Sequence, residues 1–244
     1  SFASQVLPGI RPFLSSLFTF LSLHGMHDKK RLHHWVRLSK AVRRDLYLWK
    51  CWVQEWNGKR IWEHLAPPRV EVVLGGDATL VVYGFRVITN KSQVPLPEGL
   101  AVGEAFSCTY TQDHNPHDRD GKIQFGELLA LTDAIISVAP SLRGGRIHLL
   151  CDNLPDVCVI NSQRSHLGDI LWLLRMIYFT CAHFDIKLEA AHIPGEENIV
   201  QDFLSRKLLH QYRTSYTFTR KEYPLLREEK IHLHRIQYTD SGRF

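Results

Sequence analysis

The hydrophobic periodicity of this 244-residue chain switches once, at Ala66-Pro67-Pro68, and the switch narrows the fold more than any other feature. Before it, apolar residues recur at helical spacing. Leu14, Leu17, Phe18 and Leu21 fall at i, i+3, i+4 and i+7, and Ala41–Glu55 alternates basic and apolar residues until Trp56-Asn57-Gly58 stops the pattern. Two prolines cannot continue a helix, so 66–68 reads as a linker. Beyond it the pattern becomes that of strands. Val70–Leu74 and Val81–Ile88 are β-branched apolar runs, and Gly103–Thr111 alternates. A polar stretch, Gln112–Gly121, leads to a helix over Phe125–Val138. Arg146–Cys151 then reads as a buried parallel strand, Pro155–His183 as helix-rich, Ile186–Ile193 as a fifth strand and Glu196–Leu209 as a last helix. Three neighbouring strands followed by two helix-linked strands predict an α/β fold, a five-stranded mixed sheet flanked by helices. The chain thus divides into a small helical segment (1–66), an α/β domain (69–208) and a tail (209–244) that carries no motif and reads as a linker. The first residue is Ser rather than Met, so a piece of a longer protein is expected.

The charge follows the same division. The chain has 30 Lys and Arg against 25 Asp and Glu, a net charge of +5. Residues 1–66 hold eleven basic and four acidic residues, so the remainder is slightly acidic. A basic front suits a polyanionic partner. Five cysteines without a C-x-x-C pair argue against a disulfide framework or a zinc ribbon, and for a reducing, intracellular compartment, cytoplasmic or nuclear. Leu14–Leu23 is too short to span a bilayer and no secretory signal is evident, so no membrane partner is expected.

Four acids stand at informative places. Asp77 closes the first strand after Gly75-Gly76, and Glu127 opens the first long helix. Asp152 ends the fourth strand, and Asp202 lies in the last helix. Any one of them alone reads more simply as a solvated charge, Asp152-Asn153 as a helix N-cap and Asp77 as a turn residue. Taken together, strand ends and helix starts can converge on one edge of such a sheet. Four carboxylates there would repel one another unless a cation intervened. Hard divalent ions with oxygen ligands, Mg²⁺ above all, meet that need, and a pair of them can act on a phosphodiester.

At these residues the chain resembles the ribonuclease H domain of retroelement reverse transcriptases, most closely DIRS-type and Ty3-like elements. The most specific segment is His192-Ile193-Pro194-Gly195-Glu196-Glu197-Asn198, continuing through Asp202-Phe203-Leu204-Ser205-Arg206. It follows the family pattern H-I-P-G-x-x-N-x-x-A-D-x-L-S-R, with Gln201 in place of Ala. Asp152-Asn153, Glu127-Leu128 with Ala130, and Asp77-Ala78-Thr79 with Tyr83-Gly84 match the family's other acid-bearing segments. The resemblance covers about 69–208. A weaker likeness of residues 1–66 to the thumb or connection segment rests on Arg11-Pro12-Phe13-Leu14 and Trp56-Asn57-Gly58, among others. The polymerase motif Y-x-D-D is absent, so the chain is not expected to polymerise DNA.

The resemblance implies a ribonuclease H-like fold. It implies that Asp77, Glu127, Asp152 and Asp202 bind two Mg²⁺ ions, with Mn²⁺ as an alternative. It also implies that His192, ten residues before Asp202, shuttles a proton or helps release product, and that Asn198 braces the last helix. The substrate would be an RNA–DNA hybrid, and the chain would belong to a larger reverse transcriptase polyprotein. Two departures accompany these matches. Val82 stands where the family usually has Gly, and Glu127 follows Asp77 by fifty residues, an interval lengthened at the polar loop His114–Gly121. They admit an alternative: an inactive ribonuclease H fold kept as a nucleic-acid-binding scaffold. A calcium loop over Asp118–Glu127 is a further rival, but Pro116 at its first position offers no side-chain oxygen.

Overall fold

A computed structural model of the chain describes residues 9–25, 35–55, 71–90, 105–110, 115–119 and 121–205. The linker at 66–68, the tail and the last residues of the expected final helix lie outside the described residues. The front contributes two helices, α1 (Ser15–Leu23) and α2 (Lys40–Glu55). The body contains β1 (Glu71–Ala78), β2 (Val82–Asn90), β3 (Ala105–Thr109), α3 (Lys122–Val138) and β4 (Arg146–Cys151). It continues through α4 (Leu154–Ser162), α5 (Gly168–Phe184), β5 (Lys187–His192) and α6 (Ile199–Ser205). The five strands form one mixed sheet in the order β3-β2-β1-β4-β5. The first three pair antiparallel, while β4 runs parallel to both β1 and β5. This is the helix-flanked mixed sheet that the sequence predicts.

β1 is longer than its apolar run suggests. Gly75 and Gly76 stay in the ladder, opposite Arg86 and Phe85, and carry the strand through Asp77 to Ala78. Glycine in a strand often marks the close approach of another element, and both residues serve that purpose here, on opposite faces. A Cβ on Gly76 would sit 3.2 Å from a methyl of Leu131 on α3. A Cβ on Gly75 would lie only 2.3 Å from Nε2 of Gln201 on α6. The two glycines therefore let α3 settle on one face and α6 on the other.

The hairpin joining β1 to β2 absorbs Val82 without distortion. Thr79 stitches the turn, its N–H donating to the Val82 carbonyl at 2.8 Å and its hydroxyl accepting from the N–H groups of Val81 and Val82. Val82 itself is buried and opens β2 opposite Thr109. A glycine is not needed because the turn lies before this position.

The core lies between the sheet and helices α3 and α5. Phe125, Leu128, Leu131, Ile135 and Val138 of α3 are fully buried, with Val72, Leu74, Ile147 and Leu149 of the sheet and Leu173, Leu174 and Ile177 of α5. Burying each such side chain contributes roughly 1.5–3 kcal/mol. Lys122–Leu142 is long and apolar enough to cross a membrane by length and composition alone. Its apolar surface is spent on this core instead. Ile10, Phe13, Leu14 and Leu48 of the front join the same cluster, packing against α5.

Candidate active site

The parallel pair β1–β4 delivers two acids to one edge. β1 carries Asp77 as its penultimate residue, and Asp152 is the first residue beyond β4. α3 begins at Lys122, three residues before the expected start, because Gly121 adopts the left-handed conformation (φ 78°) that turns the chain into the helix. Glu127 is therefore in the second turn rather than at the opening. It still faces the strand ends. One carboxylate oxygen each from Asp77, Glu127 and Asp152 can be chosen so that all lie within 4.8 Å of one another.

The close approach of α3 to β1 is secured by Gly126. A Cβ there would meet the Tyr110 hydroxyl at 2.3 Å and the Ala78 methyl at 3.2 Å. The same hydroxyl donates to the Thr79 carbonyl at 2.7 Å, tying the end of β3 to the β1–β2 turn beside the acids. Burial, followed by the charges of Glu127 and Asp77, makes this phenol harder to ionise.

The electrostatics are those of like charges crowded together. Burial raises the pKa of Asp77; a hydrogen bond from Ser205 opposes the rise, and the charges of Asp152 and Asp202 add to it. Burial also pushes Glu127 up to about 7, against a hydrogen bond from Asn153 and with the repulsion of Asp77 and Asp152. The donors are all carboxylate oxygens and the charges acting between them are repulsive, so the residues present fit a hard divalent cation.

Asn153 occupies the N-cap position of α4, yet its side chain makes no capping bond. The amide donates to Glu127 instead. The bland reading of Asp152-Asn153 as a cap is thus half right: the backbone carbonyl of Asn153 accepts from Asp156 and Val157, while its amide serves the acid cluster.

The other two sequence-derived residues border the triad. Asp202 lies in the first turn of α6, outside the group of three, and acts on Asp77 through its charge. His192 ends β5 and is exposed, with Nε2 3.1 Å from the carbonyl oxygen of Asp152. The loop that follows keeps the same company: a Cβ on Gly195 would stand 3.8 Å from Oδ2 of Asp152. Asn198 is fully buried at the foot of α6, where its backbone carbonyl accepts from the Asp202 N–H at 3.0 Å.

Two residues of the site were not foreseen from sequence. Ser205 donates to Oδ2 of Asp77 at 2.5 Å. Asp156, fully buried in the first turn of α4, has no well-formed hydrogen bond at either oxygen. Burial and then the charge of Glu127 push Asp156 up to about 9; Gln124 and Glu127 are polar groups close enough to influence it. In sequence Asp156 is one acid in a helix start, where an acid is ordinary.

The calcium-loop rival fails on the position of its last ligand, since Glu127 belongs to the triad. Arg119, inside the would-be loop, pairs with Asp169 at 3.0 Å.

No protein-family model matches the chain, and no curated protein matches it. Among solved structures it is similar to RNase H1 from the halophilic archaeon Halobacterium salinarum, at 15% identity and a TM-score of 0.38, covering 58% of this chain and 98% of that one. It is also similar to the N-terminal RNase H domain of a Mycobacterium tuberculosis protein, at 16% identity and a TM-score of 0.40, covering 60% and 98%. A foamy virus protease–reverse transcriptase in complex with double-stranded DNA is 14% identical with a TM-score of 0.33, covering 78% of this chain and 32% of that one.

Proposed function

We propose that the chain is the ribonuclease H domain of a retroelement reverse transcriptase, of the DIRS-type or Ty3-like kind. In this reading it is a metal-dependent endonuclease that hydrolyses the RNA strand of RNA–DNA hybrids. The observation that carries the reading is the convergence of Asp77, Glu127 and Asp152 at the strand edge, with buried, mutually repelling carboxylates. The segment that resembles the family most specifically lies against the same edge, with His192 on the Asp152 carbonyl and Asp202 within electrostatic reach of Asp77.

Asp77, Glu127, Asp152 and Asp202 would hold divalent ions, Mg²⁺ or Mn²⁺. When bound, these supply charge stabilisation at the phosphodiester and a water of lowered pKa. The remaining work falls to the protein. Asn153 and Ser205 fix the carboxylates of Glu127 and Asp77. His192, exposed beside the Asp152 carbonyl, would carry a proton between the site and solvent. Hydrolysis breaks the bond between phosphorus and the 3′-oxygen, leaving a 3′-hydroxyl and a 5′-phosphate. RNA would be distinguished by its 2′-hydroxyls, with weak sequence preference. The basic front supplies attraction for phosphates. Among the described residues Cys151 and Cys158 form no disulfide, which suits the intracellular location proposed here.

The test is cleavage of end-labelled RNA–DNA hybrid, duplex RNA and duplex DNA, each with Mg²⁺ or with EDTA. Cleavage of the hybrid alone, and only with Mg²⁺, is the expected result. Tight hybrid binding without cleavage in Mg²⁺ or Mn²⁺ would replace the enzyme with an inactive scaffold.

A further inference from the structure

We propose that Ser205 is a positioning residue that sets the carboxylate of Asp77 and, through the same contact, the helix that carries Asp202. The inference rests on the metal-site reading above and assigns a role to a residue outside the acids. α6 is seven residues long, far below the length at which an isolated helix holds in water. Side-chain contacts must therefore fix it. At its C-terminal end, Ser205 is buried at 1% exposure, and its hydroxyl donates to Oδ2 of Asp77 at 2.5 Å. The hydroxyl also lies 2.9 Å from the carbonyl of Asp202, one turn back. It has one proton, and the nearer, charged acceptor is the stronger partner.

The backbone of Ser205 is held as well. Its carbonyl lies 3.2 Å from the Thr79 hydroxyl, whose one proton it shares with the Val82 carbonyl at 3.1 Å, and the Thr79 carbonyl accepts from Tyr110 at 2.7 Å. A chain of contacts thus runs from the end of β3 through the β1–β2 turn to α6 and back to Asp77. At the other end of the helix, Gln201 is buried over the bare backbone of Gly75. The helix is consequently registered against β1 at two points two residues apart, Gly75 and Asp77, and Asp202 lies between Gln201 and Ser205 in sequence. An ionised carboxylate offers about four lone-pair sites. Engaging one on Oδ2 fixes the rotation of the group and leaves the others for a cation.

A partner one step removed from a metal typically affects affinity by about 10–100-fold. The expectation for Ser205→Ala is therefore a loss of about tenfold in Mn²⁺ affinity, read by electron paramagnetic resonance of free Mn²⁺ against the 244-residue protein without nucleic acid. Ser205→Thr, which keeps the hydroxyl, should restore most of it. Thermal melts of both variants separate affinity from folding. If Ser205→Ala lowers the melting temperature while the folded protein binds Mn²⁺ as the wild type does, the residue is structural only and the proposal fails. If Ser205→Thr is as weak as Ser205→Ala while both remain folded, the hydroxyl is not the acting group and the proposal also fails. If the wild type binds no Mn²⁺, the metal-site reading itself falls, a result that unchanged binding in the variant cannot produce.

Discussion

On the outer side of α5, Arg175 and Asp45 meet at 3% and 1% exposure; at the edge of the sheet, Asp77, Glu127 and Asp152 meet with only acids acting on one another by charge. Both clusters are buried and polar, and they are satisfied in opposite ways. Asp45 pairs with the Arg175 guanidinium through one oxygen and accepts the Ser16 N–H at 2.8 Å through the other. Arg175 also donates from Nε to the Pro12 carbonyl at 3.1 Å. Nothing in that group calls for a ligand: it joins 3₁₀ turn Arg11–Phe13, α1 and α2 to the body and is complete. The sheet-edge cluster spends its hydrogen bonds on orienting oxygens and leaves its charge uncompensated. A complete ion pair makes a junction; an incomplete set of like charges is what the proposed cation site would use.

The comparison breaks most sharply under paired substitutions. Asp152→Asn should reduce hybrid cleavage by at least about 10²–10³-fold, the scale seen when a preorganised transition-state contact is removed. Its melting temperature in the absence of metal should stay level or rise, because one of the repelling charges is gone. Asp45→Ala should do the reverse. It leaves Arg175 buried without its carboxylate, a loss of about 3–5 kcal/mol, with the cleavage rate of the molecules that remain folded little changed. Urea unfolding and single-turnover cleavage, measured on both variants, check the pair. Equal stability losses in the two would erase the distinction between junction and site.

A smaller effect should appear in the pH dependence of metal binding. Without a cation Glu127 has its pKa raised to about 7. Below that value a bound ion must displace its proton, so affinity should rise with pH by up to about tenfold per unit until about pH 7 and level off above it. Calorimetric titration with Mg²⁺ at pH 5.5, 6.5 and 7.5 reads this directly. In Glu127→Gln the rise should largely vanish. An affinity independent of pH in the wild type would mean that Glu127 takes no part in binding.

How much of this could be read from the amino acids depends on the range of the interaction concerned. The order of elements was legible because each strand and helix declares itself within a dozen residues, in the runs Val81–Ile88 and Arg146–Cys151 and in the apolar face of Phe125–Val138. Asp77 and Asp152 stood out because they sit at strand ends, Glu127 and Asp202 because they lie in the segments that resemble the family. Boundaries were less so: α3 begins three residues before Phe125, because Gly121 turns the chain into it. The roles of Ser205 and Asp156 were harder to read, although Ser205 stands in the L-S-R end of the family pattern. The partner of Ser205 is 128 residues away, and Asp156 acquires its character from being walled in beneath Glu127. The family pattern includes Ser205 without naming its partner, and nothing local marks the surroundings of Asp156. Thr79 likewise explains in three dimensions why Val82 is tolerated where a glycine was expected.

Asp156 gives the finest test of the contrast, since it is a buried acid that neither pairs like Asp45 nor stands within the triad. Its pKa is raised from the usual 3.8 to about 9 by burial and then by the charge of Glu127. Between those values the unfolded chain releases this proton while the folded protein keeps it. The unfolded state then binds fewer protons, so the contribution of Asp156 to stability is fully present below about pH 4 and is progressively lost as pH rises toward 9. Asn has nearly the same shape, is neutral throughout and can still donate to Glu127. Asp156→Asn should therefore match the wild type near pH 4 and exceed it at pH 8 by about 1–3 kcal/mol, measured by urea unfolding in EDTA. A constant difference across that range would show that Asp156 is ionised in the folded state and belongs with the charged acids after all. A difference that grows with pH would place it as the neutral floor of the site, a carboxyl kept uncharged so that Glu127 is spared one more repulsion.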